Sequence, residues 1–300
     1  MNFATKVIAL IAALGGFVGS AFGHGFAGER FFPPTITTDD PFAADELAFP
    51  TVSYFKNPAG DGAPASREID GSFEFDKLIV PHLSLGVSEG YSWIHPTGES
   101  HQNGFQNLSL NVKYELLVDG PHEFIVSVGV EADVGGTGSK SIDRDSFSTF
   151  TPTVYFGKGF GDLPKSLEWM KPVAVTGTVG QEFPTSAGAP NALDWGVAVE
   201  YQISYLRQHV AALNWPAPFK DMIPLVEISG STTENRGPST TTGTVNPGVL
   251  FEMKYFQVGV EALIPMNRDS GENVGAVIQV WWFLDDIEPK LFGKPLFFGE

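Results

Sequence analysis

"LSLGVSEGYSW", Leu83 to Trp93, decides the fold because it supports two incompatible readings. Gly86, Ser88 and Gly90 form a G-x-S-x-G, the spacing that in α/β-hydrolases lifts a nucleophilic serine onto a sharp strand-to-helix turn. The same residues also alternate: Leu83, Leu85, Val87, Tyr91 and Trp93 share one parity, and Ser84, Gly86, Ser88, Gly90 and Ser92 the other. A nucleophile elbow needs a helix after its serine, yet here the alternation runs on to Trp93 and a Pro-Thr-Gly loop. The stretch therefore reads as a strand with one apolar and one small polar face, and Ser88 as an inward-facing residue of that strand. Glu89 is the exception, since it has the parity of the leucines. A carboxylate facing lipid there costs up to about 2 kcal/mol near mid-membrane, and a β-bulge at Gly90 would turn it inward.

The same period recurs along the chain. "NLSLNVKYELLV" (107–118) sets Leu108, Leu110, Val112, Tyr114, Leu116 and Val118 against Asn107, Ser109, Asn111, Lys113 and Glu115, and "EFIVSVGVEADV" (123–134) repeats the pattern. With "FPTVSYF" at 49 and "VGAVIQVWWFL" at 274 as its ends, the chain gives about twelve such segments. The connections sort by parity. Those after odd segments, such as "HPTGESHQNG" and "TENRGPSTTTG", are long and polar. Those after even segments include the tight "DGPH" and "KY", alongside two longer ones, "KGFGDLPKSLEWMK" and "RQHVAALNWPAPFKD". In the latter a short helix is expected from Leu206 to Leu213.

Bulk properties narrow the class. Eighteen basic residues against 35 acidic give a net charge of −17, which argues against nucleic acid as a partner, and there is no cysteine to build a disulfide or thiolate site. Lys6, the apolar run Val7 to Val18 and small residues up to Gly23 read as a signal peptide over 1–23, so the chain is expected to be exported. No later run is long and apolar enough for a spanning helix. The polar face is rich in Gly and Ser, and aromatic residues such as Tyr54, Tyr91, Trp93, Tyr201, Tyr255, Trp281 and Trp282 collect near strand ends, as in the interfacial girdles of membrane barrels. The expected fold is all-β: an antiparallel, up-and-down transmembrane β-barrel of about twelve strands over 45–284. A periplasmic N-terminal arm, "HGFAGERFFPPTITTDDPFAA" (24–44), precedes it and a periplasmic tail (285–300) follows.

The mature chain resembles the proteobacterial outer-membrane β-barrel proteins of the MetA-pathway phenol-degradation type. The arm stretch "TTDDPFAADEL", the strands "NPGVLFEMKYFQVGVEALIP" and the closing "VIQVWWFLDD" carry the likeness. It implies an outer-membrane barrel that passes small compounds, and it assigns no role to any single residue. The chain departs from many such barrels in continuing past Leu284 rather than ending on a terminal aromatic.

The polar parity carries the candidate site. Glu74, Asp76, Glu115, Glu131 and Asp133 in the first half, and Asp194, Glu200, Glu227, Glu252 and Glu261 in the second, share the inward face with Lys113 as the clear basic counterpart. Two readings stand: carboxylates that pair with basic groups and plug the barrel, or an acidic wall along a water-filled path that favours cations or neutral polar solutes. His95 and His101, with Glu99 between them in one loop, and His24, as a new N-terminus, are metal-ligand candidates on residue type alone. Neither a catalytic set nor a cofactor motif emerges. The expected partners are outer-membrane lipid and a small-molecule solute, and the expected function is a passive outer-membrane channel or uptake protein for small molecules, with an acidic lumen. The alternatives are a plugged outer-membrane barrel serving as a binding or structural protein and a soluble secreted β-barrel.

Overall fold

The computed structural model describes residues 25–59 and 64–297. The expected signal peptide and His24 lie outside the described residues. Twelve strands form the wall. They are β1 (Glu46–Asn57), β2 (Ser66–Val80), β3 (Leu83–Pro96), β4 (Leu108–Asp119, preceded by a short piece, Gln102–Phe105), β5 (Phe124–Val134) and β6 (Thr149–Gly159). The second half adds β7 (Val173–Pro184), β8 (Ala192–Tyr201), β9 (Met222–Thr233), β10 (Thr241–Glu252), β11 (Phe256–Pro265) and β12 (Gly275–Phe283). Each pairs antiparallel with the next, and β12 pairs with β1 from Ala276–Tyr54 to Phe283–Glu46, so the sheet closes and leaves no edge.

Polarity is inverted relative to a water-soluble fold. Leu85, Leu110, Val130, Val154, Val199 and Val260 are exposed on the outer face, while Ser84, Thr176, Glu200, Glu227, Asn246 and Gln257 are buried on the inner one. Among the described residues no helix is long and apolar enough to cross a membrane. The parity of connections holds. Polar loops follow the odd strands at one end of the barrel, hereafter the loop end. The tight turns Pro81–His82 and Gly120–Glu123 follow even strands at the other, the turn end.

Three local expectations need correction. Ser88 lies mid-strand, paired with Glu74 and Ser109 as a strand residue should be. Glu89, however, is not turned inward by a bulge at Gly90. Its register against β2 is unbroken through Phe73, and the slip lies on the other side, where Ser88 faces Ser109 but Tyr91 faces Phe105. The extra residue thus sits between Phe105 and Ser109 on the partner strand, and the Glu89 carboxylate stays on the outer parity, accepting the Gly90 N–H at 3.1 Å. In β4 the strict alternation through Leu116 and Val118 breaks. A register shift between Glu115 and Leu117 leaves Leu116, Leu117 and Val118 all exposed, which is how three successive apolar residues can all avoid the bore. Finally the helix, α1, spans Ile203–His209 rather than Leu206 to Leu213. It ends where the Val210 and Ala211 N–H groups both close on Leu206 O, and Arg207 folds across to Leu213 O and Lys220 O.

The N-terminal segment, 25–45, is not part of the wall. It starts as a two-residue hairpin, Phe26–Ala27 against Arg30–Phe31, whose turn holds Gly28 at φ +64°. A Cβ there would lie 2.2 Å from the Gly120 carbonyl oxygen, so only glycine fits. The C-terminal tail returns along β2: the N–H groups of Leu296 and Phe297 donate to Leu78 O and Ile79 O, and Phe292 packs edge-on against Phe75.

Candidate functional site

The site is the bore and the arm within it. Beyond its short hairpin the arm has no ladder of its own, and several of its backbone groups are met by inward side chains of the wall. Arg30 is fully buried at the turn end. Its Nε donates to Glu123 at 3.1 Å and its Nη1 to Gln202 Oε1 at 3.0 Å and Pro172 O at 3.3 Å, while its guanidinium stacks on Tyr205. Farther in, the Thr37 N–H and hydroxyl donate to Glu227 at 2.8 and 2.7 Å and the Thr38 N–H at 3.1 Å, and Asn246 Nδ2 donates to the Thr37 hydroxyl. Ile36 packs against the inward Ile223, Leu225 and Leu250.

The segment then turns back. Lys113 donates to Asp39 and to Asp40 O, both at 2.9 Å, the Ser127 hydroxyl donates to Pro41 O, and the Ala43 N–H donates to Glu115 at 3.0 Å. Asp45 closes the return by accepting from Lys77 and the Leu78 N–H. Burial pushes the Asp40 carboxyl up to about 7, against the pull of Lys113. At the turn end, the Glu115 carboxylate 2.7 Å from Nδ1 raises the His82 pKa. The arm thus enters from the turn end, reaches the level of Ile36, and returns to β1.

The ten carboxylates of the polar parity take different places. Glu115 and Glu227 hold the arm. Glu200 and Glu261 are buried within the wall behind it, Glu200 accepting from Gln202 Nε2 at 3.3 Å. Glu252 stands opposite Gln257 in the register. Asp76 lies beside Gly86, and Glu74 accepts from Asn111 at 3.3 Å. Glu74, Glu131 and Asp133 line a cavity of about 450 Å³ between Ile36 and the loop end, with Ser72, Ser109 and Arg144. Asp194 lines a second, of about 350 Å³, beside Thr37. The arm residues that meet this wall, Arg30, Thr37, Asp39 and Asp40, are not candidates on parity, since the arm has no period. The usable signal is compositional: one isolated arginine and a paired aspartate in a chain with few inward bases.

The histidine candidates do not converge on an ion. His95 and His101 stack face to face with centroids 4.1 Å apart, and among the described residues no three His, Asp or Glu side chains gather to hold a metal. His82, His122 and His209 face Glu115, Asp119 and Glu29.

No family model and no curated protein matches the chain. Among solved structures, the COG4313 outer membrane channel from Pseudomonas putida F1 superposes with a TM-score of 0.53 at 11% identity, covering 84% of this chain and 99% of that one. The KdgM porin gives 0.44 at 12% identity, over 79% and 98% of the two chains. The translocator domain of the autotransporter NalP from Neisseria meningitidis gives 0.44 at 9%, covering 81% and 90%. The fold is that of an outer-membrane β-barrel.

Proposed function

We propose that the chain is an outer-membrane channel for small molecules whose bore is closed in the described state by its own N-terminal arm. In this reading residues 1–23 export the chain and are removed, the turn end faces the periplasm, and solute moves passively down its gradient once the arm leaves. The carrying observation is the arm seated in the bore on Arg30, Thr37 and Asp39. These anchors are polar groups that water can replace, while Phe32 and Phe42 pack with Ile125 and Ala174 and Phe31 with Trp281 and Phe283, so undocking also exposes apolar surface. With Glu74, Glu131, Asp133 and Asp194 facing the two cavities against Arg144, the open path prefers cations and neutral polar solutes to anions. The resemblance to barrels of the MetA-pathway phenol-degradation type belongs to this reading and favours small organic solutes.

Planar-bilayer conductance tests it. The full chain is expected to open rarely, and a variant lacking residues 25–40 to conduct continuously. A folded deletion variant that stays silent overturns the channel and favours the second reading, a barrel that binds ligands in the cavity above Ile36.

A further inference from the structure

The wall behind the arm tip holds oxygen acceptors that no donor meets. Glu227, Asn246 and Glu261 are each at most 1% exposed. Glu227 and Asn246 are direct cross-strand partners on β9 and β10, and Glu261 on β11 stands opposite Gly248. A Cβ on Gly248 would lie 2.4 Å from Glu261 Cγ, so the glycine lets Glu261 lean across β10 toward β9. That brings its carboxyl toward Glu227, whose cross-strand partner Asn246 is the inward neighbour of Gly248 on β10. The donors nearest this row act elsewhere: the Thr37 N–H and hydroxyl and the Thr38 N–H bond Glu227, and Asn246 Nδ2 bonds Thr37. Both oxygens of Glu261, Asn246 Oδ1 and, one row away, Glu200 Oε1 have no partner, and Glu261 has no ion-pair partner among the described residues.

Two carboxylates and an unpartnered amide oxygen, on residues at most 1% exposed, are costly to bury unless a positive charge lies between them. One shared proton would satisfy a single contact and leave the amide oxygen and at least one carboxylate oxygen unmet. A cation satisfies several acceptors together. The donor set is all oxygen, which disfavours the softer transition metals, and carboxylates from two strands with one amide suit the flexible coordination of Ca²⁺ better than the strictly octahedral Mg²⁺. Ser229 and Thr244, the next inward residues beyond Glu227 and Asn246, line the cavity beside Thr37 and give an ion its approach and its remaining water ligands.

We infer that Glu227, Glu261 and Asn246 form a Ca²⁺ site under the arm tip, and that the ion pins the arm. It ties β11 to Glu227, whose remaining contacts hold Thr37 and Thr38. Calorimetric titration of the full chain, purified in detergent and freed of metal with EGTA, tests this with CaCl₂, MgCl₂ and KCl as probes. One Ca²⁺ per chain is expected, with binding at least about tenfold weaker in Glu261→Gln. That variant keeps the shape and is checked for folding by heat-modifiable migration. A cysteine in place of Ile36 reports the arm directly: Ca²⁺ should slow its reaction with a maleimide in the otherwise native chain and have no effect in the Glu261→Gln background. Absence of saturable Ca²⁺ binding by the folded wild type, or equal binding by Glu261→Gln, overturns the site whatever the conductance of the barrel.

Discussion

At the scale of the residue, Arg30 and Glu123 show why single side chains in the bore matter. Both are buried, and the arginine also satisfies Gln202 and Pro172. Replacing Arg30 by Met leaves a carboxylate with its charge partner gone, a change that costs on the order of 3 kcal/mol, whereas Arg30→Met with Glu123→Gln removes the stranded charge and costs less. Urea unfolding in detergent micelles should rank wild type, double variant and single variant in that order. Titration acts at the same scale. The His82 pKa is raised above its usual 6.5 by Glu115, so the stability it lends is present below that value and is lost as pH rises through the higher folded value. Asp40 is raised by burial from 3.8 to about 7 beside Lys113, Asp39 and Asp76, so docking the arm favours its protonated form and weakens as pH climbs through that range. Through Asp40, the arm should be more open to protease at pH 8 than at pH 5. Asp40→Asn, which mimics the protonated form, should flatten that difference, and an unchanged pH profile in this variant would remove Asp40 from the effect.

At the scale of the element, the strands were legible and the arm was not, for one physical reason. A strand of a membrane barrel meets lipid on one face and polar groups on the other, so its environment is written into the sequence with period two. Ser88 is readable as a strand residue for that reason, and so is the inward parity of Glu227 and Lys113. The places where the reading slipped are those where the period carries no information. Leu116, Leu117 and Val118 are all apolar, so the bulge that exposes all three cannot be placed from them. Glu89 breaks parity without saying on which strand the extra residue lies. The arm has no period at all, and its partners, Glu227 for Thr37 and Lys113 for Asp39, come from distant strands that only the closed wall brings near it.

At the scale of the whole molecule, the inverted polarity and the parity of the connections set up two measurements. A cysteine at Ser100 or Ser239, in loops after odd strands, should react with an impermeant maleimide on whole cells, while one at Gly120 should not. The reverse pattern would put the turn end outside and the arm's entrance with it. The second measurement asks what the bore prefers once the arm is gone. Glu74, Glu131 and Asp133 face the larger cavity against Arg144, and fixed carboxylates enrich cations within about one Debye length, roughly 10 Å at 0.1 M salt. A salt gradient across a bilayer holding the variant that lacks residues 25–40 should therefore give a reversal potential of the cation-selective sign, and one that shrinks as salt rises. Replacing these three by Gln, Gln and Asn should reduce it further without loss of the folded barrel, because inward positions tune passage while the outer face carries insertion. Conductance without cation preference would keep the channel and remove these carboxylates from its selectivity.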